Sequence, residues 1–297
     1  MQQRVRTMLM GDARDAPRLC ASLLALYCVF WCCWALAVIG ISRDMQLPID
    51  ERWAGSAMLA IEGLIATLWA ALTFSWRRAV AVAAVVLPLA FGVEYIGVRF
   101  GAPFGRYHYT GALVPRLVGI PLPITCAWMM IALGSLAVAA RLDARWPRWA
   151  IILVSALLAT ALDACIEPTA VHLKMYWLWD ETGRYYGVPL KNFAGWFVAA
   201  WVINACVAWA LWGRRAPSFP VPPFIPMSLF WATVVMFAVI ALFRGYPAAT
   251  LIGLTLAVCG IAPAIRRGWH RRDARSHRPA PSTRPAHADT SGSRSAE

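Results

Sequence analysis

Residues 19–41 read LCASLLALYCVFWCCWALAVIGI, an apolar run without a charged side chain. An α-helix rises 1.5 Å per residue, so about 20 apolar residues cross the hydrocarbon core of a bilayer. The run is longer than the apolar segment of a cleaved signal peptide, and no small-residue cleavage site follows it. We therefore predict that it is a first transmembrane helix, retained in the mature protein.

Seven further apolar stretches follow along the 297-residue chain, of which 60% is hydrophobic and only 14% charged. Most of them are long enough to cross a bilayer. We predict an all-α fold, a polytopic transmembrane helical bundle of about eight spans that occupies residues 1–265. The predicted spans cover residues 19–41, 53–75, 79–100, 117–140, 149–168, 194–213, 227–243 and 246–265.

Basic residues predict the orientation of this bundle, because short cytoplasmic loops are enriched in arginine and lysine. With the N-terminus in the cytoplasm, 19 of the 28 basic residues fall in inner segments and 9 in outer loops. We expect both termini to be cytoplasmic and the protein to reside, in contact with lipid, in a bacterial inner (plasma) membrane.

Residues 266–297 are rich in Arg, His, Pro, Ser and Ala, which predicts a disordered basic tail. No basic stripe with interleaved aromatic residues lies on a soluble segment, so nucleic acid is not an expected partner.

Four carboxylic acids, Glu62, Glu94, Asp163 and Glu167, interrupt the apolar runs. An ionised side chain in hydrocarbon costs at least about 2.5–3.5 kcal/mol, so such residues usually have a function. Asp163 and Glu167 are four residues apart and share one helix face. In the predicted orientation all four acids can converge in the outer half of the bundle.

A carboxyl group kept away from water favours its neutral, protonated form, and such a group can act as a general acid. Asp163 and Glu167 are close enough on one helix to share their protons as a coupled pair. The alternative is structural: the acids would pair with basic residues and hold loops to helices. The candidate basic partners are Arg99, Arg106, Arg184 and Lys191.

Aromatic residues are concentrated in the two long loops that follow the third and fifth spans, and at the adjacent helix ends. They form either an interfacial aromatic belt or the lining of a slot that stabilises a transient cation.

His108 and His172 also lie near the acids, but paired metal-binding motifs are absent, so we predict no metal. Glycine-rich nucleotide motifs and the Gly-x-Ser-x-Gly motif are absent as well.

Short motifs in residues 91–200 surround these acids and aromatic residues. They are Glu94-Tyr-Ile-Gly-Val, Gly101-x-Pro-Phe-Gly-x-Tyr-x-Tyr, Gly119-Ile-Pro-Leu, Trp128, Asp163-x-x-x-Glu167-Pro168, Trp177-x-Trp179, Tyr185-Tyr-Gly-Val-Pro and Asn192-Phe-x-Gly-Trp196. This combination resembles the CruF-type family of membrane carotenoid-biosynthesis proteins. One position departs from the family pattern, which usually has Asp-Pro where this chain has Glu167-Pro168.

The resemblance implies a hydratase of the hydro-lyase class, in which water adds to the terminal alkene of a linear ψ-end carotenoid and gives a tertiary alcohol. Asp163 or Glu167 would donate the proton, and Glu94 would position or deprotonate the water. No cofactor would be needed, and other carotenoid-pathway enzymes would be partners. The expected substrate-binding residues are Tyr107, Tyr109, Trp128, Trp177, Trp179, Tyr185, Tyr186, Asn192 and Trp196.

Two other functions fit the same residues. The first is a non-enzymatic membrane protein that binds or transports an isoprenoid lipid, in which the acids are structural or proton-coupling groups. The second is another acid-catalysed isoprenoid-modifying enzyme, such as an isomerase or an ether-forming enzyme. Analysis of pigments made in cells that express the protein distinguishes these possibilities.

Overall fold

The computed structural model describes residues 16–45, 48–143, 145–213 and 224–260. These residues form an α-helical bundle with two very small antiparallel strand pairs in the loops. The fold class predicted from the sequence is therefore confirmed. The helices are α1 (Ala16–Ser42), α2 (Glu51–Thr73), α3 (Trp76–Phe100), α4 (Leu122–Leu142), α5 (Arg148–Pro168), α6 (Leu190–Trp212), α7 (Phe224–Arg244) and α8 (Pro247–Gly260).

Seven of the helices in the described segments, α1 to α7, are long and apolar enough to cross a membrane. The protein is thus a polytopic membrane protein. Helix α8 is apolar, but it is shorter than a membrane span. The end of the predicted eighth span, at residue 265, and the predicted tail, residues 266–297, lie outside the described residues.

The predicted start of the fourth span was wrong. The fourth span was expected from residue 117, but residues 116–121 form a tight antiparallel pair, β2 (Arg116–Leu117) and β3 (Ile120–Pro121), and α4 begins after it. Hydropathy alone cannot distinguish such an apolar turn from a helix. The fifth span was expected to end at residue 168, where α5 does end, and a π-helical turn (Thr169–Leu173) follows it directly.

Helix α4 lies at the centre of the bundle and packs against α2, α3, α5, α6 and α7. A glycine on α2 allows its backbone to approach α4 closely: a Cβ at Gly63 would lie 2.5 Å from the Cys126 carbonyl oxygen. Helix α1 packs against α2 and α7. It is bound to α7 by the Tyr27–Ser228 hydrogen bond and by the indole of Trp34, which donates to the Ala232 carbonyl.

The two long loops meet as an antiparallel pair, β1 (Tyr107–Tyr109) and β4 (Trp177–Trp179). Alternate residues of a strand point to opposite faces. Both tyrosines and both tryptophans therefore share the face towards the helices, while His108 and Leu178 are exposed. We call this end of the bundle, formed by the two strands and the adjacent ends of α3 and α5, the loop face.

The orientation in the membrane is testable with reporter fusions. A reporter that is active only after export, inserted in the loop between α3 and α4, is expected to be active because basic residues favour the opposite side. The same reporter in the turn between α2 and α3, or after the C-terminal tail, is expected to be inactive, whereas a fluorescent cytoplasmic reporter at the tail should fluoresce. An active export reporter at the tail would overturn the predicted topology.

Candidate functional site

A cavity of about 400 Å³ lies inside the bundle, and residues of the loop face contribute to its lining. Its lining comes from every spanning helix, from both long loops and from the π-helical turn. All four buried acids line it, with exposures of 0% for Asp163, 1% for Glu167, 2% for Glu62 and 4% for Glu94. The remaining lining is mainly apolar or aromatic, so the acids face a cavity that suits an apolar ligand.

Glu94, on α3, is held by the two tyrosines of β1. The hydroxyls of Tyr107 and Tyr109 both donate to its Oε2, at 2.6 and 2.7 Å. Gly97 lies three residues further, on the same face of the helix, and a Cβ there would lie 2.8 Å from the Tyr107 hydroxyl oxygen. The absence of a side chain at residue 97 therefore gives the phenol access to the acid.

The two phenols remain hydrogen-bond donors at physiological pH. Burial, followed by the charge of Glu94, raises the pKa of Tyr107 and of Tyr109 well above the usual range for tyrosine. Both hydroxyls donate to the same carboxylate oxygen. No hydrogen bond to the other oxygen, Oε1, is found among the described residues, and the Trp128 side chain lies close to this carboxylate. Oε1 can therefore accept a hydrogen bond from a small molecule in the cavity.

Glu167, near the end of α5, accepts three hydrogen bonds. The indole nitrogens of Trp177 and Trp179 donate to its Oε2, at 3.3 and 3.1 Å, and the Asn192 amide donates to its Oε1 at 3.1 Å. Three N–H donors suit a carboxylate, because an ionised acid only accepts hydrogen bonds. The strand β4 is thus attached to α5 through this acid.

Asp163 lies one turn before Glu167 on α5 and is fully buried. Its Oδ2 accepts a hydrogen bond from the Asn192 amide at 2.8 Å, so this amide connects the two acids. Its Oδ1 has no hydrogen-bond partner within the described structure. Buried polar atoms are nearly always paired, so an unpaired oxygen on a residue that lines a cavity suggests a role towards a ligand.

Pro168 explains how the end of α5 is shaped. A proline has no N–H, so the carbonyl four residues earlier, at Ala164, loses its helical partner. The Tyr185 hydroxyl donates to that carbonyl instead, at 2.7 Å. The π-helical turn follows directly, and its first residue, Thr169, lines the cavity with a buried hydroxyl that has no hydrogen-bond partner in the described segments. Single π-helical turns are frequent at functional sites.

An aromatic wall completes the site between α4 and α6. The rings of Trp128 and Trp196 stack, with centroids 4.6 Å apart and an interplanar angle of 17°. Both line the cavity with Phe104, which packs against Gly195, where a Cβ would lie 2.8 Å from its ring. Nε1 of Trp128 is buried without a hydrogen-bond partner among the residues described. The wall therefore offers aromatic faces and one N–H donor to a ligand.

The structural alternative, in which the acids pair with basic residues, is not what the described contacts show. Lys191 forms an ion pair with Glu181, and the Arg106 backbone N–H donates to the same acid. None of the ion pairs found within the described segments includes a cavity acid. The hydrogen bonds that the four acids accept there come from neutral donors.

Of the nine expected substrate-binding residues, seven line the cavity and two do not. Tyr185 supports the end of α5, as described above. Tyr186 packs against Tyr246, and its hydroxyl accepts a hydrogen bond from the Ala248 N–H. The seven that line the cavity are Tyr107, Tyr109, Trp128, Trp177, Trp179, Asn192 and Trp196.

The two loop histidines lie apart from the acids. His108 contacts Asp180 on the exposed side of β1, and Nε2 of His172 lies 2.8 Å from the Tyr186 carbonyl oxygen. No group of three or more potential metal ligands is found in the described ranges.

Several lining residues had no signal in the sequence. Helix α1 contributes Cys33, Leu36, Ala37, Gly40 and Ile41, and the run that contains them is uniformly apolar. Thr233 on α7 and Thr169 in the π-helical turn also line the cavity. The position of Thr169 next to Glu167-Pro168 was the one local signal that could have identified it.

The fold and the site together define a class, that of polytopic membrane proteins with buried carboxylic acids in an apolar, aromatic-lined cavity. Residues 54–260 match the family model described as carotenoid biosynthesis protein. Because the match covers more than half of the chain, the protein belongs to the carotenoid biosynthesis protein family. The resemblance to the CruF-type family of membrane carotenoid-biosynthesis proteins, noted from the motifs, is confirmed.

A curated relative supports the same family. The chain is 35% identical over 127 residues to bisanhydrobacterioruberin hydratase of Haloarcula japonica. The alignment covers 41% of this chain and 42% of that protein, so less than half of the relative is matched. No solved structure matches the chain.

Proposed function

We propose that the protein is a hydratase that adds water to the terminal trisubstituted alkene of a linear ψ-end carotenoid. The product is a tertiary alcohol, and the reaction is redox-neutral. The observation that carries the proposal is Asp163, a fully buried acid in an apolar cavity with one oxygen unpaired among the described residues. Family membership and the name of the Haloarcula relative support carotenoid chemistry of the hydratase type.

The hydrogen-bond partners favour Asp163 over Glu167 as the proton donor. Glu167 accepts three N–H bonds, which stabilise it as the anion. Asp163 accepts one, and its Oδ1 has no partner among the described residues, so this oxygen can carry a proton directed into the cavity. Two negative charges one helical turn apart repel each other, so the pair favours a state with one proton.

Protonation begins the reaction. The Asp163 carboxyl transfers its proton to the less substituted alkene carbon, the π bond breaks, and a tertiary carbocation forms at the other carbon. The stacked rings of Trp128 and Trp196 line the cavity and can face this cation, and aromatic faces attract positive charge. The Glu167 carboxylate adds electrostatic stabilisation in a site where water does not screen it.

Water addition completes the reaction. A water molecule bound at Oε1 of Glu94 attacks the cation, the C–O bond forms, and Glu94 accepts the released proton. The hydroxyls of Tyr107 and Tyr109 fix the carboxylate through Oε2 for this step. The proton then returns from Glu94 to Asp163, so that the sum is alkene plus water to alcohol and the enzyme is unchanged.

Co-expression tests the proposal. Cells that make lycopene or γ-carotene are expected to accumulate carotenoids one water heavier when they also express this protein. Pigments are extracted and measured by mass spectrometry, and the tertiary alcohol is identified by its resistance to mild acetylation. Unchanged pigment that co-purifies with well-expressed protein would instead support an isoprenoid-binding protein, and a product of unchanged mass but altered absorption would support an isomerase.

A further inference from the structure

Glu62 is a buried cavity acid that the proposed reaction does not use. It is 2% exposed and lines the cavity from α2. The hydroxyl of Thr233, on α7, lies 3.3 Å from Glu62 Oε1 and 2.9 Å from the Leu229 carbonyl oxygen. A hydroxyl has one hydrogen, and the shorter contact is with the carbonyl. In the described structure Glu62 therefore accepts at most one hydrogen bond, from a hydroxyl that it shares with the Leu229 carbonyl. Glu94 and Glu167 each accept two or more hydrogen bonds.

Glu62 is also separated from the other three acids along the bundle. Helix α2 begins near the loop face at Glu51. At a rise of 1.5 Å per residue, Glu62 lies about 16 Å along the helix from that start. Glu94 lies about 9 Å from the end of α3 at the same face, Phe100. On the same rise per residue, Glu62 is about 7 Å deeper in the bundle than Glu94. Thr233 contacts Glu62 near the middle of α7 and thus lies at the same depth.

The surroundings of Glu62 are close-packed on the α4 side and otherwise apolar. Gly63 fixes α2 against the α4 backbone, so the helix that carries Glu62 cannot shift towards α4. Apolar side chains of three helices line the same cavity near this depth, namely Met58, Leu59, Met130, Ile131, Met236 and Phe237. A polar acceptor surrounded by such a lining orients an apolar ligand through one polar group.

We propose that Glu62 and Thr233 form a second polar subsite, which binds the hydroxyl group of an acyclic isoprenoid alcohol. The ligand hydroxyl forms a hydrogen bond with the Glu62 carboxyl group while the hydrocarbon chain lies along the apolar walls. From the proposed function this inference takes only the isoprenoid nature of the ligand. It implies that the cavity distinguishes isoprenoid alcohols from plain hydrocarbons. The alcohol hydroxyl would lie at the depth of Glu62, deeper in the bundle than the three acids near the loop face.

A competition experiment tests this subsite. The full-length protein in lipid nanodiscs is incubated with an equimolar mixture of farnesol and farnesene, which have the same carbon skeleton, and retained ligands are extracted and quantified by gas chromatography. Empty nanodiscs correct for partition into lipid. The wild type is expected to retain about 10- to 100-fold more farnesol than farnesene. This is the affinity ratio that corresponds to one hydrogen bond with an acid shielded from water.

Variants assign the preference to these two residues. Glu62→Leu is expected to reduce the ratio to about one without loss of farnesene, whereas Glu62→Gln keeps an acceptor oxygen and part of the preference. Thr233→Val should lower the ratio. Thr250→Val, which removes a buried hydroxyl outside the cavity that donates to the Tyr246 carbonyl just before α8, should not. A ratio near one in the wild type, or an unchanged ratio in Glu62→Leu, would overturn the proposal.

The experiment measures binding and does not depend on turnover. A retained alcohol preference without any hydrated carotenoid would refute the hydratase and leave the subsite intact. Hydrated carotenoid without an alcohol preference would refute the subsite alone.

Discussion

Replacing Asp163 with asparagine is expected to reduce carotenoid hydration by about 10²–10⁴-fold, the usual loss when a general acid is removed. Asparagine has the same shape as aspartic acid, so packing around the fully buried side chain is retained. Its amide cannot supply a proton to the alkene. The loss should therefore appear in turnover, while the amount of protein in the membrane stays the same. Pigment conversion per membrane-inserted protein, measured by mass spectrometry and immunoblotting, checks this.

Glu62→Gln is the comparison variant for this prediction. Glu62 is a buried acid of the same cavity, but it contacts Thr233 and lies away from Asn192, which connects Asp163 and Glu167. With a carotenoid that carries no hydroxyl group, we expect this variant to lose far less activity than Asp163→Asn. Full activity of Asp163→Asn, or an inactive Glu62→Gln beside it, would show that the proton donor lies on another helix.

Replacing Glu94 with glutamine is expected to reduce hydration by a similar factor, about 10²–10⁴. The glutamine oxygen can still accept hydrogen bonds from Tyr107 and Tyr109, so the attachment of β1 to α3 is retained. The amide cannot accept the proton that the attacking water releases. Glu94→Asp keeps a carboxylate, although shorter, and should restore part of the activity. The measurement is initial rate of product formation in isolated membranes.

Glu181→Gln is the control on the loop side. Glu181 is an acid that pairs with Lys191 and lies outside the cavity lining, so its loss should leave hydration unchanged. Hydration by Glu94→Gln at the rate of this control would exclude Glu94 as the base. Higher activity of Glu94→Gln than of Glu94→Asp would indicate that Glu94 acts through its attachment to β1 rather than through its charge.

The spanning helices were predictable because hydropathy is local. Residues 19–41 contain no charge, and the helix Ala16–Ser42 forms there. The predictions were wrong where an apolar segment turns instead of continuing, as at residues 117–121. In that segment Val118 and Gly119 both have positive φ, so the chain reverses before α4 begins. A hydropathy average does not detect such a reversal.

The acids were also identifiable from the sequence, since a charge in an apolar run is conspicuous wherever it lies. Their partners were not. The basic residues Arg106 and Lys191 were plausible partners by proximity in the sequence, yet they contact Glu181. The aromatic residues of the loops were expected to surround a ligand, and Tyr185 instead bonds to the Ala164 carbonyl that Pro168 leaves without a helical donor.

The sequence by itself determined the approximate position of the long helices, the identity of the buried acids and the family, because these depend on composition, spacing and short motifs. Only the tertiary structure decided how the acids differ. Asn192, Trp177 and Trp179 donate to Glu167, whereas Asp163 keeps an oxygen that no described residue pairs. Glu62 lies with Thr233 at another depth. These differences arise from contacts between residues distant in the chain, whose geometry is set when the helices pack and cannot be read from any local pattern.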